Sequence, residues 1–246
     1  MRHSVPLGQI RTGPWEAASA GGVELLPLNQ DPDTGARTAL IRSVPRTGIE
    51  HKAQYHHCEE EFFCLEGRFT FDGVRWMRPW SYACYPPHVV HGARVAVPDG
   101  YLLYLRTSGS TQAYSVSAPL SDEAYHHPDF PVRDPMVVLE HTLEHLREDR
   151  VGGEPSIPIC RRLLRTQPAN GAEVTLWEFG NGAENIFQHF PAAVPLEVFV
   201  FGGGSGSADG SGPQSHAYGY YGPGDARPSI NAVGPVFALV HSGHWV

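Results

Sequence analysis

An amide, an imidazole and a carboxylate stand at fixed intervals between two glycines, and two further imidazoles follow a proline pair. Gly48 is followed by Gln54, His56, Glu60 and Gly67, and a later stretch reads Pro86-Pro87-His88-Val89-Val90-His91-Gly92. In an extended strand, residues two apart share a face, so Gln54 and His56 point the same way. Glu60 opens a run, Phe62-Phe63-Cys64-Leu65, that reads as the next strand. Gly67 ends that run in a tight turn, and His91 follows a Pro-Pro turn on a later strand. Imidazole and carboxylate ligands suit iron, manganese, nickel, zinc or copper. The candidate ligands are therefore His56, Glu60 and His91. Gln54, a weaker neutral ligand, either binds the metal, holds a bound water or stands beside the ligands. His51, His57 and His88 compete with them. His57 is one residue out of phase with His56, so an undistorted strand turns it away, and a bulge within 55–59 would reverse that.

The elements that must position these residues read as strands. The chain has 246 residues, enough for two small domains or one large all-β domain. Its 27 Gly and 22 Pro, set between many short apolar runs, favour strands and turns over helices. A formal net charge of -8 argues against a nucleic-acid footprint, which needs a basic patch. No apolar run reaches the length of a membrane span, and the first residues lack an apolar signal region. The 4 Cys (Cys58, Cys64, Cys84 and Cys160) show no C-x-x-C spacing and read as free thiols of a cytoplasmic protein.

The chain reads as a repeat. In the first half, strands are expected from about 22 onward, ending at Tyr101-Leu102-Leu103-Tyr104-Leu105-Arg106. In the second, Glu197 to Gly202 mirrors Glu61 to Gly67. Tyr220-Tyr221-Gly222-Pro223-Gly224-Asp225 mirrors Ala83-Cys84-Tyr85-Pro86-Pro87-His88, and Val236 to Val240 mirrors Leu102 to Leu105. The second half lacks the metal set: Gln188 and Phe190 fill the ligand slots, and His189 with Glu197 makes no three-ligand site. A Gly- and Ser-rich stretch from Gly202 to Pro213 reads as a flexible loop. Between the halves, Asp134 is a suitable N-cap, Pro135 a suitable first helical residue, and Leu139, Leu143 and Leu146 an apolar stripe. A helix is expected there, near 135–147. It also spells H-x-x-E-H at His141, Glu144 and His145, a short motif without its companion structure.

Gly48, Gln54, His56, Glu60, Gly67, Pro86 and His91 resemble the two motifs of the cupin superfamily, G-x5-H-x-H-x3-4-E-x6-G and P-x-G-x2-H. Gln54 stands in the first histidine slot and His88 in the glycine slot. The fuller pattern, Glu60-Glu61-Phe62-Phe63-Cys64-Leu65-Glu66-Gly67 with Pro86 to Gly92, resembles the two-repeat proteins akin to the cupin-like domain of the ChrR anti-sigma factor. The resemblance implies an all-β fold of two double-stranded β-helix (cupin jelly-roll) barrels joined by a helical linker. It places an N-terminal metal-binding barrel over 1–118, a linker over 119–154 and a degenerate C-terminal barrel over 155–246. It also implies one first-row transition metal in the first barrel, on His56, Glu60 and His91 with Gln54.

A two-His, one-carboxylate set with open positions suits Fe(II) and oxygen activation, while zinc, manganese, nickel or copper would also fit the ligands. The expected function is a metal-dependent oxygenase acting on a small carbonyl-containing or aromatic substrate, with Glu60 as ligand and catalytic base. Phe62 and Cys64, in phase with Glu60, and Tyr104 are candidates to touch that substrate. Glu61, out of phase, is expected to point outward. The alternatives are a non-oxidative isomerase, lyase or hydrolase using the metal as a Lewis acid, or a non-enzymatic sensor of a small molecule or metal. Residues 1–20, with Pro6, Gly8, Gly13 and Pro14, carry no helical region of the kind that holds a sigma factor. The expected partners are a small-molecule substrate and a second copy in a homodimer, with neither nucleic acid nor membrane.

Overall fold

The structure is a computed structural model. It describes residues 3–5, 13–18, 22–50, 53–92, 95–116, 125–126, 129–130, 136–138, 159–167, 170–180, 187, 190–203, 217–226 and 236–243. In chain order the strands are β1 (His3–Val5), β2 (Glu16–Ala17), β3 (Val23–Gln30), β4 (Arg37–Ser43), β5 (Arg46–Glu50), β6 (Gln54–Tyr55), β7 (Glu60–Gly67), β8 (Tyr82–Tyr85), β9 (Val89–Val90) and β10 (Val95–Val97). They continue with β11 (Tyr101–Thr107), β12 (Tyr114–Ser115), β13 (Tyr125–His126), β14 (Met136–Val138), β15 (Ile159–Thr166), β16 (Glu173–Phe179), β17 (Leu196–Gly203), β18 (Ala217–Tyr221) and β19 (Val236–Ser242). Every pairing of these strands is antiparallel. No helix among the described residues is long and apolar enough to cross a membrane.

The chain divides into two compact units, Pro14–His141 and a second made of Met1–Gly13 with Thr142–Val246. β1 adds to β18 with His3 opposite Tyr220, so the first residues complete the second unit rather than the first.

The first unit holds a seven-stranded sheet in the order β14-β8-β7-β11-β4-β3-β2 and three two-stranded pairs, β10-β5, β12-β6 and β13-β9. β7 and β11 lie in the middle of the sheet. Their alternation fills both faces: Phe62, Cys64, Ala83, Leu103 and Leu105 join one apolar cluster with Phe69, Met77, Tyr85, Val89 and Val97. Phe63, Tyr82, Cys84 and Tyr104 lie on the other face and are equally buried. Gly67 closes β7 where a side chain has no room. Its φ is +77°, and an added Cβ would meet the carbonyl oxygen of Gly100 at 2.0 Å.

The second unit is a six-stranded sheet in the order β1-β18-β17-β19-β16-β15. Its core is hydrocarbon: Trp177, Phe179, Phe187, Leu196, Val198, Val200, Val236, Ala238 and Val240.

The expected helix near 135–147 does not begin where its cap predicts. Met136–Val138 is a strand, β14, paired with Tyr82 to Cys84 on the edge of the first sheet. Two adjacent valines favour a strand once an edge offers partners, and that edge is a tertiary feature. The rest of that segment, including His141, Glu144 and His145, lies outside the described residues, as do most of the Gly- and Ser-rich stretch, Gln188, His189 and His51.

Candidate metal centre

β6 ends one residue before His56, and β7 begins at Glu60 after the turn of 57–59. His91 is tied in from the other side by its backbone. Gln54 and His91 exchange main-chain hydrogen bonds, N–H of Gln54 to O of His91 at 3.0 Å and the reverse at 2.9 Å. The amide of His88 donates to the carbonyl of His56 at 2.8 Å. Two segments distant in sequence, Gln54–His56 and His88–His91, are thereby locked together.

The side chains converge. Nε2 of His56 lies 3.4 Å and Nε2 of His91 3.1 Å from the same oxygen, Oε2 of Glu60. All three residues are buried. The opposite ring nitrogens face carbonyls: Nδ1 of His56 is 3.0 Å from the O of Gln112, and Nδ1 of His91 is 3.1 Å from the O of Val89. A carbonyl can only accept, so each Nδ1 carries the proton and donates. In a neutral ring each Nε2 then turns a lone pair towards Glu60. Burial, the larger cause, holds the His56 imidazole below its ordinary pKa, with Glu60 opposing and His91 assisting. Burial raises Glu60, but a hydrogen bond and positive charge from His91 in its protonated form, then the charges of His56 and Arg37, outweigh it and hold the carboxyl low. Oε2 of Glu60 is buried and has no hydrogen-bond partner. Two lone pairs and an unsatisfied anionic oxygen in one dry place are what a divalent cation satisfies, and backbone-oriented imidazoles are the usual accompaniment of a bound metal.

Residues 5–110 match the family model of the ChrR cupin-like domain. The solved structures similar to the chain include salicylate 1,2-dioxygenase from Pseudaminobacter salicylatoxidans, at 14% identity and a TM-score of 0.63, covering 98% of this chain and 83% of that one. Residues 5–110 thus match a cupin-like domain, and the whole chain shares the fold of these solved structures. It is also similar to the bacterial pirin YhhW from Escherichia coli, solved in complex with nickel(II), at 11% identity and a TM-score of 0.56 over 100% of both chains. No curated protein has a sequence significantly similar to it. At these identities the likenesses show a shared fold and nothing beyond it.

The surroundings of the triad are aromatic. The ring of Tyr85 lies 4.8 Å and that of Phe71 5.4 Å from the ring of His91. Phe62 packs edge-on against both, at 5.9 and 5.3 Å. Glu60 pairs with Tyr85 across the strands, which puts the two side chains on one face. Burial pushes the Tyr85 phenol up. Burial also pushes the Cys58 thiol up to about 11 and the Cys64 thiol to about 12, so both are inert at neutral pH. Cys58, Cys64 and Cys84 are free.

Phe62 and Cys64 share the face of Glu60, as their phase predicts. Tyr104 does not. It pairs with Phe63 and with Leu40 on the opposite face, away from the triad, so it cannot touch a molecule bound there. Gln54 is half-buried, and its register against His91 puts its Cβ on the same face. Glu61 faces away from Glu60 but not into solvent. It is buried, accepts from the Tyr82 hydroxyl at 2.8 Å and meets Arg106 at 3.4 Å. A second group of possible ligands, Glu59, Glu61 and Cys84, lies on that face. His57 and His88 are outside the triad and bond to each other.

Sequence reasoning missed Phe71 and the Gln112 carbonyl and could not assign the facing of Tyr85. Strand register carries each of them, and no local spacing signals it.

Proposed function

We propose that this bicupin is a metal-dependent oxygenase of the cytoplasm that holds Fe(II) on His56, Glu60 and His91 and acts on a small aromatic or carbonyl-containing substrate. The observation that carries this reading is the convergence of two Nε2 lone pairs on the buried, unsatisfied Oε2 of Glu60. Bound there, Fe(II) supplies oxygen activation and a Lewis acid for a substrate oxygen. The carbonyls of Gln112 and Val89 fix which nitrogen of each ring faces the centre and how the rings are turned. Phe62, Phe71 and Tyr85 keep the centre dry and present flat apolar surface to a flat substrate. Gln54, whose Cβ shares the face of His91, stands at the edge of the ligand set. Glu60 acts as a ligand rather than as a general base, because its carboxyl is held low and a base works best with a pKa near the working pH. The likeness to a salicylate dioxygenase supports an aromatic substrate, and the nickel in the similar pirin supports a site open to several first-row ions.

The test is metal analysis of protein purified without added metal, followed by oxygen uptake on a panel of small aromatic acids and dicarbonyl compounds. Turnover should require both a redox-active metal and oxygen, and His56→Ala should remove both metal and turnover. Full turnover without oxygen, or with zinc alone, overturns the oxygenase reading in favour of an isomerase, lyase or hydrolase.

A further inference from the structure

His88 stands where the cupin motif has glycine, and the backbone shows why glycine is usual. Its φ is +70°, in the left-handed region, and Val89 closes the turn by donating to the O of Pro86 at 3.2 Å. A side chain there costs roughly 1–2 kcal/mol, and such strain persists where the surroundings hold it and is concentrated at functional positions. The His88 ring is held. It stacks on Phe130 with centroids 3.9 Å apart and planes 9° apart. Its Nε2 lies 2.8 Å from Nδ1 of His57. His57, exposed at its outer side, is set edge-on against Tyr114 at 4.5 Å and Tyr55 at 5.7 Å. Two imidazoles from two facing turns are thus oriented nitrogen to nitrogen by three aromatic rings.

We propose that His57 and His88 form a second metal site, separate from the triad, for a borderline divalent ion such as Zn2+, Ni2+ or Cu2+. Imidazole is the preferred neutral ligand of these ions. Two nitrogens bound to one ion at about 2.0–2.1 Å each stand about 3 Å apart, close to the separation already present. The facing atoms are Nδ1 of one ring and Nε2 of the other, so both rings can approach one ion without a flip. In the metal-free pair one of the facing nitrogens carries the proton they share. On binding, that proton moves by exchange with water to the other nitrogen of its own ring, and both lone pairs face the ion. Water fills the remaining positions, as exposure of His57 allows. The site touches the first through the backbone: His57 follows His56, and the amide of His88 bonds to the carbonyl of His56.

Equilibrium dialysis of the chelator-stripped full chain against Zn2+ alone tests the proposal. The native chain should bind two ions, and His88→Gly and His57→Ala one each. His56→Ala should also bind one, and His56→Ala combined with His88→Gly none. Glycine is at ease at this φ, so His88→Gly leaves the turn intact, and a melting curve checks that it does. A native chain that binds one ion, or an unchanged count and affinity in both His88→Gly and His57→Ala, overturns the second site. A count unchanged in His56→Ala would instead overturn the triad and leave this pair standing.

Discussion

The two repeats agree on one face of the sheet and disagree on the other. In the first, Glu61 pairs with Cys84 and accepts from the Tyr82 hydroxyl at 2.8 Å, and Arg106 lies opposite Glu61 on β11. In the second, Glu197 pairs with Tyr220 and accepts from the Tyr218 hydroxyl at 2.7 Å, and His241 lies opposite Glu197 on β19. The buried carboxylate and its tyrosine are kept. On the inner face the position of Glu60, opposite Tyr85, is taken by Leu196, opposite Tyr221. Phe62 becomes Val198 and Ile41 becomes Trp177, so hydrocarbon fills the space that the triad occupies in the first unit. The same strand scaffold therefore holds either a buried His/Glu triad or a packed apolar core. The choice rests on a few inward side chains, while the hydrogen bond on the opposite face is common to both.

Exchanging the two inner residues breaks this comparison most severely. Leu196→Glu places a carboxylate in a core that is apolar among the described residues, and should cost about 3–5 kcal/mol, the range for an uncompensated buried charge. Glu60→Leu should do the opposite to the metal-free protein. It removes a desolvated charge, so the melting temperature should stay level or rise, while metal binding at the triad disappears. Denaturant titration with metal analysis checks both. A Leu196→Glu chain as stable as the parent would mean that the second unit is not packed as described.

The shared hydroxyl–carboxylate bond predicts equal effects in the two units. Tyr82→Phe and Tyr218→Phe each leave a buried carboxylate short of one donor, and each should cost about 1–3 kcal/mol. A cost in one unit and none in the other, read from denaturant midpoints, would show that the repeats do not share this device.

The triad was legible in the sequence because its spacing encodes strand phase, which is local. His56, Glu60 and His91 meet as expected, and Phe62 and Cys64 follow Glu60 to the same face. What was not legible depends on register. Tyr104 sits one residue from two inward leucines, and only its pairing with Phe63 shows that it faces away. Glu61 was expected in solvent, because phase alone cannot say that the second face is also buried. Aligning the repeats by Pro86 and Pro223 put Tyr220 opposite Ala83, one residue off. The strand pairing matches Tyr220 to Cys84 and therefore Gly224 to His88. A histidine in a glycine position hid the correct alignment. The start of the expected helix, Met136–Val138, is an edge strand that no local pattern announces, and the rest of that segment lies outside the described residues.

The inner-face difference also sets a response to acid. The His56 pKa is lowered in the folded state, so folding favours the neutral ring, and its contribution is fully present above the unfolded value of about 6.5. It is lost as pH falls through the folded value. Glu60, also lowered, follows at more acid pH. Metal-free protein should therefore lose stability on acidification below about pH 6.5, and His56→Leu, which has no ring to protonate, should lose less over the same interval. Equal slopes in melting temperature against pH would remove His56 from the acid response.

The smallest effect sharpens the corrected alignment. His88 and Gly224 occupy the same turn position, with φ of +70° and +81°, and in each turn the next residue donates back to the first, Val89 to Pro86 and Asp225 to Gly222, both at 3.2 Å. Only the first turn carries a side chain there. A Cβ at Gly224 would meet nothing within 4 Å, so Gly224→Ala isolates the backbone cost and should destabilise by roughly 1 kcal/mol. His88→Gly removes the same strain but also loses the stacking on Phe130 and the bond to His57. Without metal its gain should therefore be smaller than the Gly224→Ala loss. With Zn2+ present it should become a net loss, because binding at the triad stabilises both chains while binding at the pair stabilises only the parent. Melting curves of both variants with and without Zn2+ check this. If His88→Gly is equally favourable in both conditions, the histidine earns nothing from a metal, and its strained position must be explained by the aromatic packing alone.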